Sequence, residues 1–91
     1  MAESIQLIVV TPQRRVLDTA AEWVDLPAAS GAMRVLPGHA PTLGELGEGE
    51  VRFQDAAGAT HGIQVGGGFL EVLGERVTLL ADSALADSAK A

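Results

Sequence analysis

The sequence predicts an all-β domain, a β-sandwich or a small barrel. Three observations carry that expectation. Apolar and polar residues alternate with period two along most of the chain, turn signals recur about every 8–12 residues, and no window of about 11 residues carries the apolar stripe of a helix. Together they give about nine short strands.

The strands follow in order. Ile5-Gln6-Leu7-Ile8-Val9-Val10 puts Ile5, Leu7 and Val9 on one face, and Thr11-Pro12 ends it because proline has no amide for a ladder. Arg15-Val16-Leu17-Asp18 is a weaker second strand. In Glu22-Trp23-Val24-Asp25-Leu26, Val24 and Leu26 share a face while Trp23 points the other way, as a cover for a core edge or as an interface anchor. Met33 to Leu36 is a short apolar strand running into Pro37-Gly38-His39-Ala40-Pro41. Proline fixes φ and glycine accepts angles that other residues avoid, so the chain leaves the strand abruptly, and Pro41 pushes Ala40 to an extended conformation that restarts a strand. This presents His39 at the tip of a stiff turn.

Thr42 to Glu50 is rich in Gly and Glu, with Leu43 and Leu46 as its apolar anchors. Val51 and Phe53 point inward from the next strand. Asp55-Ala56-Ala57-Gly58 reads as a hairpin loop, and His61 to Val65 returns from it. Gly66-Gly67-Gly68 breaks the ladder before Phe69 to Leu73. Gly74-Glu75 fits a two-residue hairpin turn, and Arg76 to Ala81 is the final strand. Residues 1–82 form one domain and 83–91 a short tail, read as a frayed end or a single turn because only Leu85 can anchor it.

Composition excludes several function classes. The 91 residues include no cysteine, so neither a disulfide nor a thiolate zinc site is available. A net charge of −6, with scattered arginines, argues against nucleic acid and anionic lipid as direct partners. No apolar run approaches the roughly 18 residues that span a bilayer, and the start lacks a signal-peptide pattern, so a soluble, untargeted chain is expected.

The candidate chemistry is thin. His39 has no Asp, Ser or Cys within four residues, which favours a turn or interface role over catalysis. His61 shares the face of Ile63 and Val65, as a packed or edge histidine does. Glycines 66–68 precede a strand rather than a helix N-terminus, so a bulge or close backbone approach is favoured over a phosphate cradle. Glu45, Glu48 and Glu50 lack calcium-loop spacing and read as a solvated rim. No catalytic residue, cofactor, metal or small-molecule substrate is expected.

The stretch SGAMRVLPGHAPTL (Ser30 to Leu43) resembles the signature of the epsilon subunit of bacterial F-type ATP synthases. VGGGFLEVLGERVTLLAD (Val65 to Asp82), IQLIVVTPQRRV (Ile5 to Val16) and GEGEVRF (Gly47 to Phe53) extend the likeness over nearly the whole chain to Asp82. The resemblance implies a flattened β-sandwich of about ten strands. It also implies a non-catalytic rotor subunit between the gamma subunit and the membrane c-ring, on the cytoplasmic face of the bacterial plasma membrane, coupling proton flow to ATP synthesis. By the same resemblance, Ser30, Gly31, Ala32, Met33 and His39 face the c-ring loops. Thr42, Leu43, Gly66, Gly67, Gly68 and Phe69 face gamma.

Ala32 stands where the family often has an acid, and Arg34 where it often has a small residue, so any pairing of that acid with a ring loop is lost or moved here. The chain also lacks the family's C-terminal helical hairpin, so little or no helix-mediated inhibition of hydrolysis is expected. Two alternatives are weaker. A biotinyl or lipoyl carrier needs a lysine at a hairpin tip, whereas the one lysine is Lys90 in the tail. A small β-barrel enzyme needs a constellation of acid, base and nucleophile that is missing.

Overall fold

The computed structural model describes residues 4–86. They form eight strands: β1 (Ile5–Val10), β2 (Arg15–Ala21), β3 (Trp23–Ala28), β4 (Gly31–Val35), β5 (Thr42–Gln54), β6 (Thr60–Leu73), β7 (Arg76–Ala81) and β8 (Ala84–Ala86). The hydrogen-bonded order is β2-β1-β7-β6-β5-β3-β4, with β8 added to β6. All neighbours are antiparallel except β1 and β7, which run parallel from Gln6↔Arg76 to Val10↔Leu80.

The long β5–β6 hairpin turns this continuous sheet into two layers. It pairs from Thr42↔Val72 to Gln54↔Thr60, and Gly47 and Gly67 drop out of the ladder at its middle. On each strand the inward parity changes there: Leu46 gives way to Val51 and Phe53, and Ile63 and Val65 give way to Leu70 and Val72. The first layer holds β2, β1, β7, the second half of β6 and the first half of β5. The second holds β8, the first half of β6, the second half of β5, β3 and β4. Counting each long strand twice gives the ten strand segments of the expected sandwich, and the 35 × 31 × 22 Å extents give its flattened form.

Glycine is required at this corner. Gly67 and Gly68 have φ of +104° and +136°, angles that L side chains rarely adopt. A Cβ on Gly68 would also overlap the backbone carbonyl of Leu80. The corner lies over a core of aliphatic residues from both layers, including Leu7, Val9, Val24, Leu26, Val51, Val72, Val77 and Leu79. Close packing of this kind resists shear between the sheets.

Three segments depart from the pattern reading. Thr42 to Glu50 belongs to β5, and Leu43 points outward instead of anchoring it. The inward position between Thr42 and Leu46 is Gly44, which has no side chain to reveal the alternation. Gly66 to Gly68 reorients β6 without ending it. The beginning of the tail is a strand rather than a frayed end or turn: Ala84 to Ala86 pairs with Val65 to Ile63, and Gly66 N donates to Ser83 O at 3.0 Å. Backbone pairing to an open strand edge stabilises a segment that offers little apolar burial of its own. The remaining tail, residues 87–91, lies outside the described residues.

Candidate docking surfaces

The turn after β4 forms as its residues dictate. Pro37 and Gly38 occupy its centre, Gly38 has φ +88°, and His39 N donates to Leu36 O at 3.0 Å, the type II pattern. The half-buried His39 donates from Nδ1 to Ala40 O at 2.7 Å, and Thr42 Oγ1 donates to the same carbonyl at 2.9 Å. Both bonds hold the turn against the start of β5.

The residues expected to face a ring do not form one patch. Ser30, Gly31 and Ala32 are exposed at the β3–β4 turn, which is tied to β5 by Ala29 N donating to Glu45 O at 2.9 Å. Met33 turns partly inward and packs on the core. His39 lies beyond the other end of β4, a separation on the order of 15 Å at the usual strand rise.

Of the residues expected to face gamma, Leu43 and Phe69 share the outer face of the first layer. Thr42 is half-buried, and Gly66, Gly67 and Gly68 form the corner. Sequence reasoning missed the neighbours that complete this face. Val10, Leu80 and Phe69 stand in register across β1, β7 and β6, and Glu45 closes the row beside Phe69. Leu43 lies opposite Glu71 in the next pair. Phe69, Leu80 and Leu43 are 61%, 52% and 79% exposed. A groove of about 290 Å³ runs along the row, lined by Val10, Pro12, Phe69, Leu80 and Asp82. The signal was present in sequence: Ile8, Val10, Phe69, Leu73 and Leu80 are apolar residues at positions whose alternation points outward.

The outer face of the second layer is largely polar and paired across β3, β4 and β5, with Leu85 of β8 its exposed large apolar side chain at 73%. Arg34 grips Asp25 with two bonds, Nε to Oδ1 at 2.6 Å and Nη2 to Oδ2 at 3.0 Å. Its guanidinium also lies 4.4 Å from the Trp23 ring centroid. The hydrogen bond from Arg34, helped by the charges of Arg34 and Arg52, holds the Asp25 carboxyl below the usual carboxylate range. Arg52 pairs with Glu50 at 3.8 Å.

At the hairpin rim, His61 stacks on Phe53 with ring centroids 5.1 Å apart and bonds Asp55 Oδ2 at 2.7 Å. Asp55 Oδ1 accepts the amides of Ala57 and Ala59, each at 2.9 Å, so this is the packed histidine of a closed loop. The His61 bond, followed by the Ala59 amide, keeps the Asp55 carboxyl low. Among the described residues no group of three or more His, Cys, Asp or Glu is placed to hold a metal.

The class so defined is a small β-sandwich that presents faces and turns rather than a cleft. Residues 4–87 match the family model of the ATP synthase delta/epsilon chain, beta-sandwich domain, and the chain belongs to that family.

The ATP synthase epsilon chain of Solibacter usitatus is 45% identical over 84 residues, covering 92% of this chain and 62% of that protein. That of Rhodobacter capsulatus is 44% identical over 85 residues, covering 93% and 64%. This chain therefore spans a little under two thirds of the length of these relatives. A chain in the Euglena gracilis mitochondrial ATP synthase OSCP/F1/c-ring structure shares the fold with a TM-score of 0.85 at 22% identity, covering 96% of this chain and 58% of that one.

Proposed function

We propose that this chain is a non-catalytic subunit of the central rotor of an F-type ATP synthase. In this reading it joins the gamma subunit to the c-ring at the cytoplasmic face of the bacterial plasma membrane, and so couples proton flow to ATP synthesis. The supporting observation is the apolar row on the first layer, which a lone domain has no use for and an obligate interface needs. Family membership supports the same reading, because the relatives are named epsilon chains. The docking surfaces lie within residues 1–82, and β8 closes the edge of the second layer beside them.

The chain's task is mechanical. Gamma covers Leu43 and Phe69 beside the glycine corner and Thr42. The c-ring loops meet the exposed Ser30, Gly31 and Ala32 turn, with Met33 fixing it to the core, and His39 stiffens the far end of β4. Two sheets locked over one core transmit twist with little deformation.

Co-purification with gamma, in the presence and absence of the ring, tests this. Phe69→Asp is expected to release the chain from gamma while leaving its circular dichroism unchanged. Retained binding would overturn the assignment of this face.

A further inference from the structure

We infer that the first-layer face receives a partner segment whose large apolar side chain enters the Val10–Leu80–Phe69 groove and whose flanking residues are basic, meeting Glu45, Glu71 and Asp82. This rests on the reading of that face as gamma-facing, and adds the chemistry that gamma must bring to it.

The groove supplies the first part of the argument. Its apolar residues stand in register on three adjacent strands. With Leu43 diagonal to Phe69, three large apolar side chains on this face stay more than half exposed, and grouped exposed apolar residues mark an interaction site. The groove lies at the corner end of the layer, where Val10 ends β1 and Phe69 follows the glycines, and a concave apolar site of this kind takes one anchoring side chain.

The carboxylates supply the second part. Glu45 is the cross-strand neighbour of Phe69, Glu71 that of Leu43, and Asp82 lines the groove itself. None has a basic group within ion-pairing distance among the described residues, whereas Asp25 and Glu50 on the opposite face both do. In water these carboxylates need no partner. Once a docked chain excludes water from the apolar row, Glu45 and Asp82 need a cation or strong donors from the partner, whereas Glu71 shares a pocket with Arg76 and is left with the weaker demand. A partner with lysine or arginine at the rim is therefore favoured, and an acidic one is rejected. A second copy of this chain, with its net charge of −6, would set the same acids against each other.

Calorimetric titration of the full chain with purified gamma, at low and high salt, tests the inference. Leu80→Asp is expected to weaken binding by about 30-fold or more, as loss of an anchored pocket does. The milder Leu80→Thr, which keeps strand propensity, is expected to weaken it less but measurably. The triple variant Glu45→Gln, Glu71→Gln, Asp82→Asn is expected to lose about tenfold at low salt and to flatten the salt dependence. If the triple variant binds like wild type at every salt concentration while Phe69→Asp abolishes binding, the basic-partner inference is overturned and the gamma-facing reading stands. If Phe69→Asp, Leu80→Asp and Leu80→Thr all bind like wild type, both readings fall.

Discussion

The two outer faces of this sandwich are built from the same strand chemistry and finished differently. On the second layer, Asp25, Arg34, Glu50 and Arg52 pair among themselves, and Trp23 lies beneath Arg34. On the first layer, Phe69, Leu80 and Leu43 remain in water beside unpaired acids, and ion pairing is confined to Arg15 and Asp18 on β2. One face pairs most of its charges within itself, and the other leaves its acids and three large apolar side chains in water. The difference lies in pairing: the same pleated surface can satisfy its own charges or leave them open.

Removing the corner breaks the comparison altogether, because it alone keeps the two faces apart. Gly68→Ala drives a methyl into the Leu80 carbonyl and strains a backbone at φ +136°, so a loss of about 3 kcal/mol or more is expected in urea unfolding. Both layers should melt together in that variant.

Acid should sharpen the contrast by acting on one face first. Asp25 has a depressed folded pKa, so its contribution is fully present above the unfolded value, about 3.9, and is lost as pH falls through the lower folded value. Below about pH 4, amides of β3 and β4 are expected to exchange sooner than those of β1 and β7. Asp25→Asn should remove part of that acid dependence. Equal exchange in both layers would show that the face pairing has no energetic consequence.

The smallest effect belongs to the exposed row. Leu43→Thr, at a position 79% exposed, is expected to change folding stability by less than about 0.5 kcal/mol while improving solubility of the isolated chain. A large loss in a thermal melt would mean that Leu43 supports the fold.

Most of the architecture was legible because alternation exposes an inward face: Ile5, Leu7, Val9, Val24, Leu26, Val51 and Phe53 all lie where period two puts them. The reading failed where glycine removes the side chain that would mark the phase, at Gly44 in β5; at Gly66–Gly68 the close backbone approach was foreseen, but not that the strand runs through it. It failed again at β8, where backbone bonds to β6 order a segment with no apolar pattern of its own. The candidate surface was half visible. Leu43 and Phe69 came from resemblance, but Val10 and Leu80 join them only through the β1–β7 pairing, which sequence spacing does not reveal.

That pairing has a consequence for how the molecule is made. β1 pairs with β2 directly after it, but its parallel neighbour β7 comes about 70 positions later, from Gln6 to Arg76, so the first layer stays incomplete until β7 is made. Until β7 docks, the newborn chain carries Phe69 and its neighbouring leucines with no finished sheet behind them, the interval in which exposed apolar surface is most prone to aggregate.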